Sequence, residues 1–298
     1  MRSSNKDAFT QEVGILKNLS SESHAHPHLI TLLSTYEQVE KYYIIFPWAE
    51  ADLLGYWKHK NPEPSNDRET ALWLAEQCQG LADGLSTIHH YKTFSGTSLP
   101  YHKTRPRADS KEVELATQAS ETSSTGAARL LFGRHGDIKA NNILWFPDLA
   151  SEGGHGILKI TDFGIAHFST ENTVSARDRG LVANSPTYRP PECDLPNGKL
   201  SMSCDIWALG CVYLEFITWF FGGWKHLEEF GSRRLAIDHN WGGIRCDPFF
   251  VIEKDKKSGE FSAEVKGCVT QVSLSRCIVV CTRCHRPIQN ETNLAHNS

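Results

Sequence analysis

The sequence predicts an α+β fold, and three observations predict it. Residues 70–89 place Leu74, Cys78, Leu81, Leu85 and Ile88 at the spacing of one helix face. Residues 203–219 are apolar nearly all round, the pattern of a central helix. Four short apolar segments bounded by breakers read as strands: Leu29 to Leu33, Tyr42 to Phe46, Ile143 to Phe146 and Ile157 to Ile160.

Size and composition suit such a fold. The chain has 298 residues and a mass of 33.4 kDa, enough for one large domain or two small ones. Hydrophobic residues are 40% and charged residues 22%, which excludes wholesale disorder. Lys+Arg is 31 against 35 Asp+Glu, a net charge of -4, so no nucleic-acid partner is expected. The opening MRSSNKDAFT has no apolar signal region. The longest apolar stretch, Trp207 to Trp224, is interrupted by Glu215 and Thr218. It reads as a buried helix and its exit, so no membrane partner is expected either. Nine Cys without disulfide-framework spacing point to a reducing, intracellular compartment, cytoplasmic or nuclear.

Taken in chain order, residues 7–19 form the first helix, with Phe9, Val13 and Leu16 at helical spacing and Asp7 or Asn5 available as a cap. Glu12 falls on the inward side. It either finds a partner, because an unpaired buried carboxylate is expensive, or reaches water at the edge. Leu29 to Leu33 follows the turn signal His26-Pro27, and Pro47 ends the second strand. Residues 92–130 are rich in Ser, Thr, Ala, Lys and Arg and read as a long mobile insertion. The PDLASEGGHG segment joins the last two strands as a hairpin loop, since a phosphate loop would need a third glycine and a following helix. After about residue 267 the chain changes character, and 268–298 is expected to be a disordered tail. Its Cys281, Cys284 and His285 spell CxxCH, but one such motif without a second ligand cluster is read as coincidence.

The chemistry concentrates in His135-Gly136-Asp137-Ile138-Lys139-Ala140-Asn141-Asn142, a loop just before a strand. Twenty-five residues beyond Asp137 comes Asp162-Phe163-Gly164, directly after the next strand. Asp137, Asn142 and Asp162 therefore gather at the ends of a hairpin. Carboxylate and amide oxygens at one edge suit a hard divalent cation, and Lys139 offsets phosphate charge.

These segments resemble the protein kinase family. HGDIKANN resembles its catalytic loop, Asp162-Phe163-Gly164 its metal-binding triplet, and TYRPPE the close of its activation segment. SCDIWALGCVYLE resembles the central helix of the larger lobe, with Asp205 bracing the catalytic loop. Upstream, EVGILKNL, HPHLITLL and YYIIFPWAEADL resemble helix C, the next strand, and the strand and hinge that hold adenine. The resemblance runs from about residue 7 to 267, five motifs in the family's order. It implies a bilobal fold with a partial N-lobe and hinge over 1–49 and a mainly helical C-lobe over 50–267. It implies ATP and Mg²⁺ as cofactors and a protein substrate phosphorylated on Ser or Thr. Asp137 would accept the hydroxyl proton, Lys139 would steady the γ-phosphate, and Ser185 would bond that pair. Asn142 and Asp162 would hold Mg²⁺. Phe46, Pro47, Ala49 and Leu144 would border adenine, and Glu12 would face the phosphates. Leu16, Leu32, Phe163 and His135 would stack as a spine resting on Asp205.

The departures shape two further readings. No Gly-rich loop and no strand Lys precede helix C, which leaves Glu12 without its family partner. The resemblance thus implies a domain incomplete at both ends, or a scaffold with a kinase fold and no phosphotransfer. HGD in place of HRD is usual in small-molecule phosphotransferases, but Lys139, the full Asp-Phe-Gly and the Tyr188-to-Glu192 segment point away from them.

Overall fold

Helix α1 (Lys6–Leu19) is the first helix in a computed structural model of the protein. The structure describes residues 2–3, 6–39, 41–93, 129–149, 155–169, 173–175, 185–196, 198–238, 243–255 and 257–272. The expected insertion core and the CxxCH tail lie outside these residues. Helix α1 buries Val13, Ile15, Leu16 and Leu19 and, among them, Glu12. Strand β1 (Arg2–Ser3) pairs with β3 (Lys41–Ile45), which also pairs with β2 (Ser34–Gln38), all antiparallel.

The strand expected over Leu29 to Leu33 is displaced. Its residues are extended but form only one isolated parallel bridge, Leu29 with Ile160, while the ladder begins at Ser34. Leu29 and Ile30 are buried because their backbone docks on a different sheet: Ile30 N–H donates to Ile160 O at 2.9 Å. Here apolar content marked burial against the second lobe rather than pairing within the first.

Past the hinge, β4 (Ala51–Asp52) leads into the short turn α2 (Leu53–Gly55), capped where Asp52 Oδ1 accepts from Gly55 N–H at 2.6 Å. Helix α3 (Arg68–His89) starts at Asp67, whose side chain accepts from Thr70 N–H at 2.8 Å. Leu81, Leu85 and Ile88 are buried as expected. Leu74 and Cys78 are half-buried, and Trp73 and Gln77 take the innermost line beside them. Gln77 lies inside because its Oε1 accepts from Leu158 N–H at 2.9 Å.

Strands β5 (His90–Thr93) and β6 (Arg129–Arg134) form an antiparallel pair. The expected hairpin is present as β7 (Ile143–Phe146) and β8 (Ile157–Ile160), with Ile143 opposite Ile160. Strand β9 (His167–Ser169) pairs with β6, and β10 (Thr173–Ser175) with β11 (Lys199–Ser201).

Helix α4 (Ser203–Arg234) runs through the core and extends past the expected end at 219. It bends at Gly223, where φ is +67° and a Cβ would come within 2.6 Å of Pro62 O. By length and apolarity α4 could cross a bilayer, but it is the centre of an aromatic core. Phe216 packs on Trp57 and Trp73, and Trp219 Nε1 donates to Asn61 O at 2.7 Å. Two antiparallel hairpins follow: β12 (Ala236–Asp238) with β13 (Ile244–Cys246), and β14 (Phe250–Lys254) with β15 (Phe261–Val265).

Candidate active site

The loop after β6 is held from below by the first turn of α4. Asp205, 1% exposed, accepts from His135 N–H through Oδ2 and from Gly136 N–H through Oδ1, both at 2.8 Å. His89 Nε2 lies 3.0 Å from Oδ2. These bonds fix a main chain that turns through Gly136 at φ +85°. His135 is fully buried, its ring edge-on to Phe163 with centroids 5.1 Å apart and Nε2 3.0 Å from Thr161 O. Burial lowers its pKa, so the ring stays neutral and acts as a structural peg. Leu16 is fully buried and Leu32 half-buried on the upper side of this core.

Above the peg, the tight turn Ala140–Asn142 brings three polar side chains together. Asp137 Oδ2 accepts from Lys139 Nζ at 2.7 Å and from Asn142 Nδ2 at 2.9 Å. Lys139 Nζ also reaches Ser185 Oγ at 3.3 Å, across 46 residues. Asp137 Oδ1 is buried and has no hydrogen-bond partner. It lines a pocket with Ser185, Arg189 and Pro190. An open acceptor beside a lysine and a hydroxyl is the arrangement a general base requires.

Asp162 stands at the end of β8 with φ +67°, uncommon for a non-glycine residue. Its Oδ1 receives only a long contact, 3.4 Å from Gly164 N–H. Glu12 is 5% exposed, and its Oε1 has no hydrogen-bond partner. Burial, with the nearby Asp162 charge second, pushes its pKa up to about 7. Neither alternative for Glu12 holds: it is buried rather than at the edge, and no cation among the described residues forms an ion pair with it.

Phe46, Pro47, Ala49 and Leu144 are all half-buried. Leu144 is brought beside the hinge exit because it pairs with Asp52 in the β4–β7 ladder. Among the described residues no cluster of three or more His, Cys, Asp or Glu could cage a metal. Asn142 and Asp162 offer one amide and one carboxylate oxygen. That set fits Mg²⁺ shared with phosphate oxygens, the usual mode for that ion, rather than an all-protein cage.

The segment after Ser185 is anchored residue by residue. Thr187 Oγ1 donates to Asp247 Oδ1, and Tyr188 O–H donates to Glu215 Oε2 at 2.7 Å. Arg189 pairs with Asp194 at 2.8 Å and with Asp238. Glu215 and Asp247 are in turn bound by Arg234, at 2.8 and 3.3 Å. Arg234 is 2% exposed and stacks against Phe230 and Phe249. Sequence reasoning missed this network. Its signal was Glu215 inside an apolar helix, a charge that has to be paired.

This loop, this acid triplet and this anchored segment lie together on an α+β frame. Residues 133–228 match the family described as the protein kinase domain. The chain is similar to "Cyclin-dependent kinase 14" of Xenopus tropicalis, 28% identical over 256 residues, covering 84% of this chain and 46% of that protein. It is similar to "CTD kinase subunit alpha" of Schizosaccharomyces pombe, 27% identical over 154 residues, 48% of this chain and 24% of that one. It is also similar to "Cyclin-dependent kinase E-1" of Arabidopsis thaliana, 39% identical over 84 residues, 28% and 17% of the two chains. Residues 133–228 of the chain are thus similar to the protein kinase domain, and the chain spans less than half the length of these relatives.

Proposed function

We propose that residues 1–267 form a kinase domain that transfers a phosphoryl group to Ser or Thr hydroxyls of a protein substrate. The observation that carries this reading is Asp137 Oδ1. It is buried and unpaired while Oδ2 is held by Lys139 and Asn142. One oxygen is fixed in place and the other is free for an incoming hydroxyl. Bound ATP would supply the phosphoryl group and Mg²⁺ would offset its charge, with Asn142 and Asp162 as the ion's protein ligands and Phe46, Pro47, Ala49 and Leu144 beside adenine.

The residues of the chain do the rest. Asp137 orients the hydroxyl and accepts its proton at Oδ1. Lys139 neutralises charge next to it and ties the loop to Ser185. The anchored Thr187 and Tyr188 hold the wall along which a peptide would lie. An intracellular setting, cytoplasmic or nuclear, accords with the six described cysteines being free thiols.

Glu12 favours a second reading, a scaffold without phosphotransfer, because its buried Oε1 has no partner. One experiment separates the two. Label transfer from γ-labelled ATP to a Ser/Thr peptide library is measured for the chain and for Asp137→Asn. Transfer that falls by about 10²–10⁴ in the variant supports catalysis. Absence of transfer by the parent chain supports the scaffold, and transfer insensitive to Asp137 rejects the assigned base.

A further inference from the structure

Two histidines seat the loop that leaves α1 on α3 and β8. His26 and His28 are both half-buried. Their rings occupy hollows over glycines of α3. A Cβ on Gly80 would come within 2.0 Å of His28 Nε2, and one on Gly84 within 3.2 Å of His26 Nδ1. The adjoining main chain is bonded to β8. Ile160 N–H donates to His28 O at 2.8 Å, and Ile30 N–H donates to Ile160 O at 2.9 Å.

Hydrogen bonds fix the protonation state that each ring needs. Leu158 O can only accept, so His28 Nδ1, 2.8 Å away, carries a hydrogen. In the neutral ring Nε2 then carries none. It faces Gly80 and makes no hydrogen bond among the described residues. His28 N–H donates to His26 Nδ1 at 3.2 Å, so that nitrogen has to stay unprotonated. A proton there sets two donors against each other. The ring centroids are 5.9 Å apart, so charges on both rings repel. Of the groups facing them, Asp83 on α3 favours the charged rings, and Lys159 on β8 opposes them. Burial is the largest influence on both and lowers their pKa values from 6.5.

We propose that His26 and His28 form a proton-operated latch. With both rings neutral the loop is shut on α3 and β8. With either ring charged the hollow expels it, and the main-chain bonds between the loop and Ile160 open. The sign follows from the rings being neutral when shut, while the open loop takes up protons near pH 6.5. Closure is at full strength above pH 6.5 and weakens as pH falls below it. The latch stands apart from phosphotransfer, because it acts on the loop whether or not a nucleotide is bound.

The test follows hydrogen exchange of the Ile30 and Ile160 amides in the full chain, from about pH 7.5 to about pH 5.5, corrected for intrinsic exchange rates. Protection should fall roughly tenfold for each ring that takes up its proton only in the open loop. His26→Asn keeps a side-chain oxygen that accepts from the N–H two residues on, but does not titrate, and should lose about tenfold less protection than the parent. Adding His28→Asn should flatten the dependence. Glu12, with its pKa raised to about 7, titrates over the same range in parent and variants alike, so it cancels in the comparison. Gly80→Ala evicts the His28 ring, and should show near pH 7.5 the low protection that the parent reaches only in acid. Equal pH dependence in the parent and the double variant, or none in the parent, overturns the proposal. Should the variants not fold, ring-nitrogen shifts of the parent decide. Both rings are expected to be mainly neutral at about pH 6.5, where an unperturbed histidine is half charged. Charged rings with protection intact also overturn it.

Discussion

Asn142 donates its side-chain amide to Asp137 twice, to the main-chain carbonyl and to the carboxylate Oδ2, at 2.9 Å each. The pair of bonds fixes the aspartate rotamer, so the direction of Oδ1 is set by its neighbour. Asn142→Ala should leave the fold intact and lower turnover by roughly 10²-fold, the scale for a misplaced reacting group. Steady-state kinetics of the active protein check this, and an unchanged kcat would show that Asp137 needs no such support.

Asp205 is expected to matter for stability before it matters for rate. Asp205→Ala strands the buried His135 N–H, the half-buried Gly136 N–H and the His89 ring together. The loss should be on the order of 3–5 kcal/mol, since each unsatisfied buried donor costs about 1–3 kcal/mol. Urea titration reads it as a lower midpoint, with Asp205→Asn falling between the variant and the parent.

Arg234 bridges two carboxylates inside the protein. Arg234→Met leaves Glu215 without its buried partner and should cost about 3–5 kcal/mol. Adding Glu215→Gln removes the stranded charge and should recover part of that loss. A double-mutant cycle by denaturation measures the coupling, and additive losses would mean that the pair acts independently.

Glu12 ties stability to pH. Its folded pKa is raised from 4.5 to about 7, so the folded state keeps a proton that the unfolded chain releases. Stability is therefore expected to be highest below pH 4.5 for this group, to fall as pH rises to about 7, and then to level off. Glu12→Gln should flatten this dependence and melt at higher temperature than the parent above pH 7. Thermal midpoints across that range, compared for the two proteins, decide it.

Helices α1, α3 and α4 were legible because their inward faces are apolar at a fixed period, and β7–β8 because breakers bound it. The loop residues Asp137, Lys139, Asn142 and Asp162 were legible as an ordered motif, and the fold brings Asp137, Lys139, Asn142 and Ser185 into direct contact. Leu29 to Leu33 misled because burial and strand pairing leave the same apolar mark. Arg234 and Asp247 were not legible. Their importance arises from partners gained or withheld across the fold, and single-residue patterns carry no record of that.

The pairing of strands β5 and β6 has a consequence for altering this chain. Thr93 and Arg129 face each other as direct partners, although 35 residues separate them in the sequence. Closing a loop costs entropy only as the logarithm of its length, about 0.6 kcal/mol for each doubling. Lengthening the connection between these two partners is therefore expected to cost little stability. Its two ends are clamped by the same ladder that delivers His135 to Asp205. A reporter domain spliced between Thr93 and Arg129 is therefore expected to leave the catalytic loop in place.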